Sequence, residues 1–213
     1  MEIKINTKKY IEYIEMAAKK IEASKDYVTE LDSITGDGDH WVNMNMGFEK
    51  LVETKEELAT MDLGPLFQKI GMLLMSTVGG SSGVLYGSAY IKAAKTIGDQ
   101  KEMDINLLCD VLEAKVNAIM ERGNAKPGCK TMIDTLYPAV TALKEALEKG
   151  LNDYDALQAL KQAAIDGMNS TKDMEALKGR ACYQSNKGAG HIDPGAVTMC
   201  YQIEVLVECL CKE

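Results

Sequence analysis

Apolar residues recur at helical spacing along almost the whole of this 213-residue chain, and that periodicity limits the fold more than any other feature. Ile11, Ile14, Ala18 and Ile21 fall on one stripe, with Thr7 placed to cap it. Ile105, Leu108, Leu112, Val116 and Ile119 step by three and four. So do Leu136, Val140, Leu143 and Leu147, and again Tyr154, Leu157, Leu160, Ala164 and Met168. No segment alternates apolar and polar residues between turn pairs, so the predicted fold class is all-α. Four prolines leave room for long helices, and a Met- and Ala-rich chain with only 6% aromatic residues suits helix better than sheet.

Helix ends are legible at three places. A run begins at Asp104 and closes near Arg122-Gly123, where glycine can end a helix. Asn152-Asp153 can cap the segment that starts at Tyr154. Asp193 stands before Pro194 at a first helical position, which predicts a last helix from Pro194 to about Cys211. The pattern gives about eight antiparallel amphipathic helices, enough to close a barrel-like bundle. Composition does not shift along the chain, so residues 1–213 read as a single domain, and no fixed repeat period points to a solenoid.

A net charge of −8 repels phosphate backbones and anionic lipid, which argues against nucleic acid and membrane as partners. No apolar run is long enough to span a bilayer. The six cysteines form no C-x-x-C pair, and no signal peptide is visible at the N-terminus, so reduced thiols in a cytoplasmic protein are expected. Cys209 and Cys211 have metal-ligating chemistry, but a near-terminal helix accounts for them.

Glycine marks where chemistry can sit. It clusters in four short loops: Thr35 to His40, Gly79 to Gly83, Arg122 to Gly128, and Gly188 to Gly195. In helices that run alternately up and down, several such loops gather at one end of the bundle. The first loop carries the strongest signal, because Asp32, Asp37 and Asp39 bring three carboxylates within eight residues. Three carboxylates without a counter-charge raise one another's pKa, and a hard divalent cation relieves that repulsion. Oxygen ligands favour Mg2+ or Ca2+, and Mg2+ commonly completes its octahedron with phosphate and water. A calcium loop of EF-hand type fails, since Trp41 and Val42 follow where further ligands are needed. The bland alternative is that the acids only cap helices in a glycine-rich turn. Gly79-Gly80-Ser81-Ser82-Gly83 precedes a helical run through Tyr86 and Tyr90, so its N–H groups can hold phosphate, although such a stretch is also an ordinary turn. There is no P-loop and no Rossmann glycine motif. Arg180 and His191 flank the fourth loop as further candidates.

Taken in order, ELDSITGDGDHWVNM, GGSSGVLYGSAY, RGNAKPGCKTMIDTLYPA and GRACYQSNKGAGHIDPGAVT resemble the nucleotide-binding L subunit of dihydroxyacetone kinase over essentially the whole chain. The resemblance implies a barrel of eight antiparallel helices with ADP or ATP and two Mg2+ at one end. It implies Asp32, Asp37 and Asp39 as metal ligands. It implies nucleotide contacts from His40, Trp41, Val42, Asn43, Ser81, Ser82, Gly123, Met132, Arg180, Asp193, Pro194 and Gly195, with Met132 offering an apolar surface to adenine and Arg180 acting as the catalytic electrostatic clamp. A chain of this kind is similar to the phosphotransferase-system-dependent form. In that form bound ADP is phosphorylated by a phosphohistidine on an M subunit, and the ATP then phosphorylates dihydroxyacetone held on a K subunit. A homodimer is also compatible with the sequence.

Four positions depart from the family pattern. Trp41 stands where Gly is usual, Cys129 where Asp is common, and Ile192 where Gln is frequent. Ser185-Asn186-Lys187 replaces a typical Glu-Arg-Ser. The metal-binding aspartates are retained. Two other readings therefore stay open: a paralogue acting on a different small ketose, and a regulatory module that uses its nucleotide state to engage a transcription factor.

Overall fold

The computed structural model describes residues 2–212, and among them the chain is helical throughout. In order the helices are α1 (Thr7–Ala23), α2 (Lys25–Thr35), α3 (His40–Glu53), α4 (Lys55–Leu58), α5 (Leu63–Thr77), α6 (Gly80–Ile97), α7 (Ile105–Gly123), α8 (Ile133–Glu148), α9 (Asp153–Ser170) and α10 (Pro194–Cys211). Two 3-10 turns, Thr171–Asp173 and Arg180–Tyr183, lie between α9 and α10. The only extended pairing among the described residues is an isolated bridge between Ile5 and Met103. No helix among them is long and apolar enough to cross a membrane.

Neighbours in sequence are neighbours in space, and the series closes on itself. Helix α3 packs on α5, α5 on α6, α6 on α7 and α7 on α8. Helix α8 meets α9 and α10, and α10 returns through α1 to α3. The all-α barrel expected from periodicity is therefore the observed fold. The segments read as about eight helices are divided further by hydroxyl side chains. Ser24 Oγ donates to Ile21 O and Thr54 Oγ1 donates to Lys50 O, each taking a carbonyl from the helical ladder where α1 gives way to α2 and α3 to α4.

The caps follow local chemistry, with one correction. Thr7 does not cap α1: the Asn6 side chain accepts from Lys9 N at 3.0 Å, while Thr7 Oγ1 donates to Met61 O at 2.7 Å. Asn6 stands one residue ahead of the first turn, where its carbonyl oxygen reaches the Lys9 N–H, and this leaves the threonine free to tie α1 to the segment before α5. The other caps lie where expected: Asp104 accepts from Leu107 N, Asn152 from Asp155 N, and Asp193 from Ala196 N ahead of Pro194. Within α8, Pro138 removes the N–H that would bond to Asp134 O. Gly167 of α9 fills the space, and a Cβ there would lie 2.3 Å from that oxygen, so the α8–α9 contact depends on glycine.

Apolar side chains from every long helix except α2 fill the ring; Val28 and Leu31 of α2 form a smaller cluster with Val197. Phe67 is fully buried at the centre, and burial of such a side chain contributes ~1.5–3 kcal/mol. Its ring lies 4.4 Å from Tyr10 and 5.5 Å from Tyr90, centroid to centroid, and Tyr10 Oη donates to Tyr90 Oη at 2.9 Å. These rings border an internal cavity of about 40 Å³, which Lys115 of α7 enters. Part of Lys115 keeps solvent contact, but its ammonium lies 3.6 Å from the Tyr90 ring centre and 3.4 Å from Tyr10 Oη.

Burial pushes the Lys115 ammonium down to about 7. Above the ordinary lysine pKa of ~10.4 both folded and unfolded chains carry a neutral amine, and the residue costs nothing. As pH falls from there towards about 7 only the unfolded chain gains the proton, so stability is lost across that interval and levels off below it. Lys115→Met is expected to flatten this slope and to raise Tm at pH 7 by at least ~2 °C, read by thermal melts from pH 6 to 10. An unchanged slope would show that the ammonium stays hydrated in the fold.

Candidate functional site

Because the helices alternate in direction, one end of the ring gathers the N-termini of α3, α6, α8 and α10 together with the C-termini of α2 and α7. They frame a cleft of about 700 Å³, within the range of small-molecule and cofactor sites. Each N-terminus directs the positive end of a helix dipole towards that space, and although side chains occupy some first-turn N–H groups of α3, α8 and α10, those of α6 are left open. Helix α6 begins at Gly80, so Ser81 and Ser82 lie in its first turn, and no side chain caps it. The glycine-serine stretch is thus a helix start open to an anion rather than a turn ahead of one.

Opposite it, Asp32, Asp37 and Asp39 each offer a carboxylate oxygen, and the three oxygens lie within 4.8 Å of one another. Asp32 is buried at the end of α2, and its Oδ2 accepts from His40 N at 2.9 Å, which fixes the α2–α3 loop. Gly36 makes room for it: a Cβ there would sit 2.2 Å from Asp32 Oδ1. Burial raises the Asp39 carboxyl, Asp37 and Asp32 raise it further, and a hydrogen bond from Asn43 offsets part of this. The donor set suits a hard divalent cation: all oxygen, anionic, and destabilised by its own repulsion.

Arg180 forms an ion pair with Asp37 at 2.8 Å. Both partners are well exposed, so the pair is worth only ~0–1 kcal/mol, and a cation on Asp37 can displace it at little cost. His40 Nε2 lies 2.9 Å from Thr198 Oγ1 of α10, and burial lowers its pKa, which keeps the ring neutral near pH 7. Asp193 caps α10; burial pushes its carboxyl up although it keeps some solvent contact, while the Ala196 N–H and Lys130 pull it back.

The cleft brings together the three aspartates, His40, Asn43, Ser81, Ser82, Gly123, Met132, Arg180, Asp193, Pro194 and Gly195. Trp41, Val42, Ile192 and His191 are not among the residues that line it. The Trp41 indole turns the other way, donating from Nε1 to Ile21 O at 2.8 Å, and Val42 is 46% exposed on α3. Ile192 packs against the small cluster of Val28, Leu31 and Val197.

Sequence reasoning missed the apolar wall from Leu85, Ile119 and Ile133, and also Lys130 and Lys178. The apolar residues continue helical stripes and so read as core. Lys130 lies two residues beyond the third glycine loop, the one local hint of its place. Its φ of +59° and the bonds that Gly128 N and Thr131 N donate to Asp134 Oδ1 and Oδ2, at 2.5 and 2.8 Å, shape the chain there.

The fold and the site define an all-helical barrel with a metal-suited acidic triad facing converging helix N-termini, and comparison with known proteins shows the family in which that arrangement belongs. The DAK2 domain model matches residues 34–208. The PEP-dependent dihydroxyacetone kinase ADP-binding subunit DhaL of Escherichia coli K12 is 33% identical over 181 residues, covering 85% of this chain and 86% of that protein. The corresponding subunit of PEP-dependent dihydroxyacetone kinase 2 from Listeria innocua is 36% identical over 194 residues, covering 90% of this chain and 89% of that one. A crystal structure of the dihydroxyacetone kinase from C. freundii in complex with AMP-PNP and Mg2+ superposes with a TM-score of 0.70 at 26% identity over 93% of this chain, which spans 33% of that longer one. The chain belongs to the DAK2 domain family, alongside the ADP-binding subunits of dihydroxyacetone kinases.

Gly36→Ala is expected to displace the Asp32 carboxylate and weaken Mg2+-dependent nucleotide binding by at least ~10-fold, with helical circular dichroism unchanged. Titration calorimetry with ADP, with and without Mg2+, measures it, and wild-type affinity in the variant would show that Asp32 is not a ligand.

Proposed function

We propose that this chain is a phosphoryl-transfer subunit that holds Mg–ADP or Mg–ATP in the cleft and relays phosphate between two other proteins. The observation that carries the reading is the set of three carboxylates within 4.8 Å facing the uncapped start of α6. Asp32, Asp37 and Asp39 would hold two Mg2+, which would supply positive charge to neutralise charge that develops on transfer. The N–H groups at Ser81 and Ser82 meet the remaining phosphate charge, and Met132 with the neighbouring apolar wall faces the base.

Arg180, released from Asp37 when that carboxylate takes a cation, becomes the clamp on the transferring phosphoryl group. No general base is assigned to this chain. Transfer of this kind rests on positioning and electrostatics, and the acceptor hydroxyl is activated on the partner. The relatives named as ADP-binding subunits of PEP-dependent dihydroxyacetone kinases support phosphate that originates from phosphoenolpyruvate and dihydroxyacetone as acceptor; a phosphohistidine on an M-type subunit as donor and a K-type subunit as holder of the acceptor complete the proposal. Six free cysteines suit a cytoplasmic setting.

Purified protein is expected to carry adenine nucleotide that is released by EDTA and heat. Mixed with K-type and M-type subunits and a phosphoenolpyruvate-charged carrier, it should form triose phosphate, and Arg180→Ala should slow that formation by at least ~10-fold. Protein without nucleotide and without Mg2+-dependent ADP affinity would overturn the reading. Nucleotide binding with partner association but no phosphoryl flux would favour the regulatory module instead.

A further inference from the structure

Lys130 is a lysine in an unusual place. Its residue is 1% exposed, and its φ of +59° lies in the left-handed region that residues with a Cβ rarely occupy. That turn sends the side chain inward beneath Gly188, whose Cβ position would lie 3.2 Å from Lys130 Cε. The ammonium is gripped by carbonyls rather than by a carboxylate: Nζ donates to Thr171 O and, at 2.6 Å, to His191 O. Asp193, Asp134 and Asp173 attract it from further off and offset part of the cost of burying the charge.

Those two carbonyls are the two ends of one segment. Residues 172–190 leave α9, form the 3-10 turn Arg180–Tyr183, and return to the start of α10. The strap crosses towards the metal loop, where Arg180 pairs with Asp37 and Gln184 Nε2 donates to Ile34 O at 2.6 Å. A bond from Gly190 N to Lys172 O at 2.8 Å draws its neck together. Long segments with little helix of their own are held by few contacts and open easily. Among the described residues, Lys130, two residues before Met132, is the side chain from outside the strap that bonds both of its ends, at a neck where Thr171 Oγ1 also accepts from Asp193 N at 3.0 Å.

We propose that Lys130 is a positioning residue for Arg180. Its ammonium clasps the strap at both ends and so holds the guanidinium over the phosphate side of the cleft, tying it to the loop that carries Met132. The proposal rests on the nucleotide-site reading above and adds to it a residue that acts on the phosphates only through Arg180.

A double-mutant cycle tests it. Lys130→Met is expected to reduce Mg–ADP affinity by about tenfold in the otherwise wild-type chain and by less than about twofold when Arg180 is already alanine. Tryptic cleavage at Lys172, Lys178, Arg180 and Lys187 should speed up by about tenfold in Lys130→Met, while cleavage elsewhere is unchanged. Equal losses of affinity in both backgrounds, or an unaltered cleavage pattern, would overturn the proposal. If Lys130→Met does not fold, Lys130→Gln, which keeps an N–H donor pair without the charge, replaces it in the same cycle. If neither folds, Lys130 serves the fold rather than Arg180 and the proposal fails. Absence of Mg–ADP binding in the wild-type chain would sink the functional reading itself, and the strap cleavage would still report on the clasp.

Discussion

Four helix N-termini meeting three carboxylates is the interaction on which the rest of this molecule depends. A chain with net charge −8 and no P-loop lysine has to meet the charge of any polyphosphate by other means. Helix dipoles supply part of it, because α3, α6, α8 and α10 all begin at the same end. On the proposed reading the acidic triad would supply the rest indirectly, since its own repulsion favours a divalent cation. Both depend on the strict up-and-down alternation of the ring. Reversing one helix would trade a positive terminus for a negative one.

The loops at that end are set by aspartates used for their geometry as much as for their charge. Asp32 fixes the entry to α3 through His40 N, Asp134 turns the chain between Gly128 and Thr131, and Asp193 caps α10. Each accepts backbone N–H bonds near a helix start, where an anionic acceptor is worth most. Since the same kind of side chain caps helices and binds metal, the distinction lies in grouping. Among the described residues, only Asp32, Asp37 and Asp39 bring three carboxylate oxygens together.

How far the fold could be read in the sequence follows from what kind of force set each feature. Stripes such as Ile105 to Ile119 and caps such as Asp104 and Asn152 are local, and they appear where spacing places them. The break at Ser24 and the capping by Asn6 rather than Thr7 turn on which side chain reaches which backbone group, a matter of ångströms that spacing does not encode. Asp32, Asp37 and Asp39 were legible because three acids so close in sequence are costly without a shared purpose. Lys130 and Lys115 were not, because a lysine is ordinarily a solvated charge, and only tertiary packing buries these two ammonium groups. The side chains of Trp41 and Val42 follow the rotation of α3, which turns them away from the cleft that His40 and Asn43 enter.

That rotation gives the chain an optical reporter of its own. Trp41 is the single tryptophan of the sequence, one residue beyond His40, with its indole bonded to Ile21 O at the α1–α2 junction and Lys25 5.1 Å from its ring. The indole therefore shares a backbone with the metal loop yet stands outside the cleft, where no ligand quenches it by contact. Intrinsic fluorescence excited at this one site reports on the packing of the α1–α2–α3 junction without any label.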